Sequence, residues 1–302
     1  MVDKNKIISS VPNESFVLTL FLVILLSPEK EVLKFVPTVG LFTSDQYRTI
    51  AFLIYYQLFI ILKTVTKMNK ATITEIRERF DQDVERFSNL STGQQSTVDA
   101  VLSLELITES ARRIVPQAKN LLDIGCGGGN YTLKMLSKLP ALNCTLLDLS
   151  RPMLDKAYER VSAETAGEIQ VIQGDIRDVE LSENRYDIIL AGAMLHHLRE
   201  DAEWEHVFGK LYNALVPGGC LLISDLIKQD SDTLNDYFRE QYGDYLKAIG
   251  GEEYKSTIFD YIEKEDTPRS LFYQLDLLNK TGFSKIEILH KNICFAAYGG
   301  IK

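Results

Sequence analysis

The sequence predicts an α/β protein with a doubly wound, mostly parallel sheet, helices on both faces and a C-terminal antiparallel hairpin. Three observations lead there. From Asn120 onward, short apolar runs alternate with helical stretches, the order that builds βαβ units and a parallel sheet. The glycine-rich stretch "DIGCGGGN", Asp123 to Asn130, stands where the first of these strands gives way to a helix. Two further apolar runs close the chain, "SKIEILHKN" and "ICFAAYGGI".

Taken in order, "ATITEIRERFDQDVERFSNL" spaces Ile73, Ile76, Phe80, Val84 and Phe87 three or four residues apart, the mark of an amphipathic helix. Polar turn chemistry and a second helix follow in "STGQQSTVDAVLSLELITESARRIV". Then come the strand "NLLDI", the helix "NYTLKMLSKL", the strand "NCTLLDLS" and the helix "RPMLDKAYERVSAE". Pro152 sits early in that last helix, where its missing N–H costs least. "IQVIQGD" and "YDIILAGAML" read as strands, "EWEHVFGKLYNAL" as a helix, and "VPGGCLLISDLI" as a turn and strand. With the closing pair, this makes seven strands. Right-handed crossovers place the helices on both faces.

Residues 1–67 differ from the rest. "SFVLTLFLVILLS" (15–27) and "TIAFLIYYQLFIILKTV" (49–65) carry almost no charge, yet each is shorter than the roughly 20 apolar residues of a spanning helix. Three readings stand open: a membrane-associated hairpin, an apolar helical pair packed on the domain, or a dispensable extension. The catalytic domain is expected at 68–302, with a helical N-terminal lid over 70–115 and a helical insert over 229–280.

A net charge of −9 argues against broad nucleic-acid binding. None of the four cysteines forms a CxxC pair, and Cys294 with His290 offers only two ligands. No metal is expected on that basis. Cysteines inside apolar runs suit a reducing cytoplasm. Association as a homodimer is left open.

Glycines at 125, 127 and 129 let a backbone turn tightly and a ligand approach without Cβ clashes. In parallel sheets, ligands bind beyond the carboxyl ends of the strands. A dinucleotide fingerprint requires GxGxxG, but Asn130 or Thr132 stands where its last glycine belongs. The pattern present is Asp123, Gly125, Gly127, Gly129. That stretch resembles motif I of the class I S-adenosylmethionine-dependent methyltransferases. Later segments agree in order and spacing: "CTLLDLS", "IQGDIRD", "IILAGAMLHHL" and "LYNALVPGGCLLISD". The resemblance covers roughly residues 75–300. It implies a Rossmann-like seven-stranded fold, S-adenosyl-L-methionine as cofactor, and a small-molecule or nucleoside methyl acceptor.

It further implies roles for individual residues. Asp123 would meet the cofactor's ammonium group. Gly125, Cys126, Gly127 and Gly129 would cradle it. Asp148 would hold the ribose diol, and Leu149 and Met153 would also contact the cofactor. Asp175 and Ile176 would meet the adenine, and Ala191 and Gly192 would lie near the methionine part. Apart from the resemblance, Asp148 could cap the helix after it and Asp175 could form a turn. Gly218 and Gly219 read as serving only their turn. His196 and His197 face the expected methyl position as either a general base or a support for the loop. Tyr131 could close over the cofactor or start a helix, and Arg79, Arg86 and Phe87 are expected near the ligand.

"DYFREQYGDYLKAIGGEEY" and the stretch from "TPRSLFYQ" to "AAYGG" are similar to the ending of carboxy-S-adenosylmethionine synthases of tRNA wobble-uridine modification. In that family a basic residue of the insert reads a carboxylate. Here "KSTIFDYIEKED" has no arginine, and Arg269 falls later. Ordinary methyl transfer is therefore the main expectation. A carboxy-cofactor synthase and a non-catalytic or membrane-tethered cofactor-binding protein are the alternatives.

Overall fold

In the computed structural model, the described residues are 70–89 and 94–302, together with the backbone of two strands, β1 (Thr19–Ser27) and β2 (Lys30–Thr38). The chain divides into two units between Asn69 and Lys70. β1 and β2 pair antiparallel with Ser27 opposite Lys30, so Thr19–Ser27 is a strand and not part of an apolar helix. The expectation at 49–65 lies outside the described residues. No helix among the described residues is long and apolar enough to cross a membrane.

The second unit opens with α1 (Ile73–Gln82) and α2 (Val84–Ser88). The sequence pattern reads as one helix, but the structure breaks it at Asp83, whose φ/ψ of −106°/15° is not helical. Thr72 starts α1 in a capping box with Glu75, satisfying two backbone donors at once. Then follow α3 (Ala100–Ile114), β3 (Asn120–Ile124), α4 (Asn130–Leu136), β4 (Asn143–Asp148), α5 (Arg151–Ser162), β5 (Ile169–Gln173) and β6 (Tyr186–Gly192). A 3₁₀ turn (Leu195–His197) leads to α6 (Asp201–Ala214), β7 (Leu215–Leu226), α7 (Asp232–Glu265), α8 (Leu271–Thr281), β8 (Ser284–Asn292) and β9 (Phe295–Ile301).

The seven strands run in the order β5-β4-β3-β6-β7-β9-β8. The first five are parallel, and β9 and β8 add antiparallel at one edge. This is the expected seven-stranded α/β fold with its closing hairpin. The β6–β7 register jumps from Tyr186–Leu215 to Ile188–Cys220, so the Pro217–Gly219 turn is absorbed as a bulge.

Side chains alternate between two cores, as the period of a strand requires. Leu122, Ile124, Ile189 and Ile223 pack with Trp204, Phe208 and Leu278 of α6 and α8. Leu121, Ile188, Leu190 and Leu222 pack with Ile107, Met135 and Leu154 of α3, α4 and α5. Ile107 is fully buried, so α3 belongs to this core. Within 70–115, α1, α2 and the turn residues Gln94, Ser96 and Thr97 reach the cavity described below, and α3 does not.

α7 is two helices. Gly250 (φ −140°) and Gly251 (φ 78°) interrupt it, and Gly251 takes a left-handed conformation that other residues rarely adopt. Its halves fold against each other through Tyr242 and Phe259, 5.8 Å between rings, and an Arg239–Glu263 ion pair at 2.8 Å. This hairpin carries a third apolar cluster with Leu226, Leu246, Ile258 and Phe295.

Candidate active site

A cavity opens at the carboxyl ends of β3, β4, β5, β6 and β7. It is floored by the glycine loop and roofed by α1, α2 and the α7 hairpin. Gly125, Gly127 and Gly129 all have positive φ, 64°, 51° and 82°. At Gly127 a Cβ would meet no atom within 4 Å, whereas at Gly125 it would come within 2.5 Å of Met194. The loop is therefore a bare stretch of backbone facing open space at Gly127 and packed closely against the Met194 side chain at Gly125. Gly129 caps the start of α4.

Asp148 ends β4 and is buried beside this loop. Its Oδ2 accepts the Gly127 N–H at 2.8 Å and its Oδ1 accepts the Ser150 N–H at 2.9 Å. Burial raises its pKa, against the lowering effect of those N–H donors. It is not the helix cap: Ser150 caps α5, accepting from Met153 N. Leu149, Met153 and Cys126 line the same wall.

Asp175 does both things the sequence allowed. Its Oδ1 accepts the Arg177 N–H at 2.9 Å as a turn former, and it lines the cavity beside Ile176. Burial would raise its pKa, but the Arg177 guanidinium, bonded to both carboxylate oxygens, outweighs that and holds it below the usual range.

Three predicted residues do not reach the cavity. Gly129, predicted in the cradle, turns instead toward Ala157 and Val161 of α5. Asp123 lies on the α4 face of β3 with Leu121, and its Oδ2 accepts Thr132 N at 3.2 Å and Thr132 Oγ1 at 2.7 Å. Full burial pushes it up to about 7. Ala191 is 1% exposed and packs in the core. The cavity wall after β6 consists of Gly192, Ala193 and Met194 instead. Ala193 has φ 53°, a strained conformation for a residue with a Cβ and one that clusters near functional sites. Tyr131 lines the cavity with its ring so close that a Cβ on Gly192 would sit 2.5 Å from it.

The opposite wall holds His196 and His197, whose rings lie 4.3 Å apart. Asp225, at the end of β7, binds His196 twice: Oδ1 at the ring Nδ1, and Oδ2 accepting the backbone N–H at 3.0 Å. Burial alone would lower the His196 pKa, but Asp225 and Asp266 carry it up to about 9. Burial and the positive His196 and Arg79 beside it drive His197 well below its ordinary value. Burial pushes Asp266 up to about 6 despite His196.

Above them, Arg79 of α1 makes a two-pronged bond to the buried Glu265, at 2.7 and 2.5 Å, and lies 4.2 Å from the Phe80 ring. Phe80 meets His197 edge to face at 5.9 Å. Ala71 N–H donates to Lys264 O at 2.8 Å. Arg86 and Phe87 also line the cavity, with Arg86 paired to Asp83 at 2.8 Å. Arg269 does not line it; its guanidinium binds Asp201 and the Arg199 carbonyl.

Sequence reading missed Asp225, Glu265, Asp266, Arg177 and Met194. An acid closing the strand "LLISD" was a usable signal for Asp225. Glu265 and Asp266 gave none, because only the α7 hairpin brings them back.

Residues 121–219 match the family described as "Methyltransferase domain". The chain contains a class I S-adenosylmethionine-dependent methyltransferase domain. Curated relatives of this methyltransferase include the carboxy-S-adenosyl-L-methionine synthases of Shewanella sp. (strain ANA-3), 27% identical over 66% of this chain and 82% of theirs, and of Vibrio atlanticus, 27% identical over 64% and 80%. Among solved structures, an O-methyltransferase family protein from Burkholderia thailandensis shares the fold with a TM-score of 0.51 at 15% identity. That match covers 76% of this chain, which spans 60% of the other's length. A 1,6-didemethyltoxoflavin-N1-methyltransferase from the same organism gives a TM-score of 0.51 at 14% identity, covering 75% of this chain and 87% of its own.

Proposed function

We propose that this methyltransferase transfers the methyl group of S-adenosylmethionine to a small-molecule or nucleoside acceptor bound between the glycine loop and the α7 hairpin. The observation that carries the reading is the pairing of a side-chain-free bend, open where a Cβ would project, with a buried carboxylate bonded to it. Gly127 has room where a Cβ would project, and Asp148 stands 2.8 Å from its N–H. A carboxylate with two acceptor oxygens suits a vicinal diol. Asp148, Leu149 and Met153 would hold the ribose, Asp175 and Ile176 the adenine, and Gly125 to Gly127 with Gly192 and Met194 the amino-acid portion.

When bound, this cofactor supplies an electrophilic methyl on a sulfonium whose leaving group is a neutral thioether. The chain's task is then chiefly alignment and exclusion of water. Phe80, Phe87 and Tyr261 cover the acceptor side with apolar surface, while Arg79 and Glu265 pin that cover to the α7 hairpin. His196, held between two carboxylates, suits a positioning role, and the neutral His197 ring faces the acceptor. A cytoplasmic setting belongs to this reading, supported by cysteines that are all unpaired among the described residues.

The second reading, a carboxy-cofactor synthase, is favoured by the curated relatives. Against it, each arginine lining the cavity is engaged by a carboxylate of this chain: Arg79 by Glu265, Arg86 by Asp83, Arg177 by Asp175. Mass spectrometry of the ligand retained by the purified protein separates the two. S-adenosylmethionine or its demethylated product supports methyl transfer, and a carboxylated cofactor supports the synthase.

A further inference from the structure

We propose that His196, His197 and Asp266 form a binding site for one divalent transition-metal ion of the zinc type. Nothing in the spacing of the cysteines points to it, because the third ligand comes from the far end of the α7 hairpin. The three side chains offer ligand atoms that all lie within 4.8 Å of one another. His197 Nδ1 is 3.3 Å and His196 Nε2 is 3.7 Å from the same Asp266 oxygen. Ligands about 2.1 Å from a tetrahedral zinc stand about 3.4 Å apart, so both histidine–carboxylate spacings are close to those of a bound ion.

Three independent features favour an ion there. His197 Nδ1 is buried and has no hydrogen-bond partner, since the Asp266 oxygen beside it is badly angled. Such an atom carries a cost unless something fills its lone pair. His196 gives its far nitrogen to a buried carboxylate, Asp225, the outer support that orients metal-binding histidines and fixes their tautomer; the ion would displace the proton that His196 otherwise carries on Nε2, releasing it to solvent. The Thr267 N–H donates to His196 O at 2.7 Å, tying the backbone beside Asp266 to the histidine turn.

Two imidazoles and one carboxylate select zinc-like ions over magnesium, which prefers oxygen ligands. All three residues line the cavity, so the remaining coordination position faces the acceptor space, as in catalytic sites. A metal there would lower the pKa of a hydroxyl or thiol bound to it, which gives the acceptor class: an oxygen or sulfur nucleophile. Only this use of the ion rests on the methyl-transfer reading; the binding does not.

The test is calorimetric titration of the chelator-treated full chain with Zn2+ and, separately, Mg2+, followed by the visible spectrum of the Co2+ form. We expect one Zn2+ per chain, Mg2+ at least a hundredfold weaker, and Co2+ bands of nitrogen–oxygen coordination. Asp266→Asn and His197→Gln should each lose at least tenfold in Zn2+ affinity, and Asp225→Asn, from the outer shell, tenfold or more. Far-UV circular dichroism identifies any variant that fails to fold, and the other two then decide. Absence of stoichiometric Zn2+ binding, or binding unchanged in the folded variants, overturns the proposal. Zn2+ binding without binding of S-adenosylhomocysteine would leave the metal site standing and remove the methyl-transfer reading.

Discussion

The two walls of the cavity are built in different ways. The cofactor wall is local: the glycine loop, Asp148 and the Asp175 turn follow three successive parallel strands, and its key contact is backbone to carboxylate, Gly127 N–H to Asp148. The acceptor wall joins distant segments: Arg79 meets Glu265 across 186 residues of chain, and His196 meets Asp225 and Asp266. One wall is shaped by conformations only glycine tolerates, the other by buried charge. Substitutions should therefore fail differently, the first through geometry and the second through unpaired charge.

The largest effect is expected at Gly125. In Gly125→Val a branched side chain meets a positive φ and the Met194 side chain, and strain of about 1–3 kcal/mol from the backbone alone precedes the clash. Binding of S-adenosylhomocysteine should fall below detection by calorimetry. Retained affinity would mean the loop is not the cradle.

Arg79→Met probes the other wall. It leaves Glu265, 6% exposed, as a buried charge without its guanidinium, a loss of about 3–5 kcal/mol when such a pair is broken. Thermal unfolding should shift down strongly, and hydrogen exchange should rise in residues 70–88. Arg79→Met combined with Glu265→Gln should recover much of the loss.

Asp148→Ala should weaken cofactor binding about ten- to a hundredfold, about 1–3 kcal/mol, with much less change in unfolding temperature than Arg79→Met. Comparable losses in both readouts would erase the contrast between the walls.

A smaller, pH-dependent effect belongs to Asp123. Its folded pKa, about 7 against an ordinary 3.8, means the native state holds a proton that the unfolded chain has released. The corresponding stability is fully present below about 4 and is lost as pH rises through about 7. Chemical denaturation across that window should show wild type falling relative to Asp123→Asn. Parallel curves would contradict the burial argument.

The smallest effect is expected at Gly209, inside α6 with nothing within 4 Å of an added Cβ. Gly209→Ala should stabilise by up to about 1 kcal/mol and leave ligand binding unchanged, marking the difference between a glycine of the cradle and one without a site.

The same contrast explains what could be read from the chain. The strands and the cofactor wall were legible because glycine spacing, apolar runs and strand-end acids are local signals. Asp123 was assigned to the ligand although it alternates with Leu122 and Ile124; strand period alone turns it toward α4 with Leu121. Ala191 failed likewise, one residue before the strand ends and the wall begins. The break at Asp83 hides inside a continuous helical pattern. Glu265 and Asp266 look like solvated helix charges until Gly250 and Gly251 fold α7 back over the cavity.

The central claim is that a nucleoside-bearing sulfonium lies over Gly127 with its sugar on Asp148. Calorimetric titration of wild type and Asp148→Ala with S-adenosylmethionine and NADH tests it most directly. The account predicts one S-adenosylmethionine per chain, clear weakening in the variant and no NADH binding. NADH binding without S-adenosylmethionine, or equal affinity in both proteins, would contradict it.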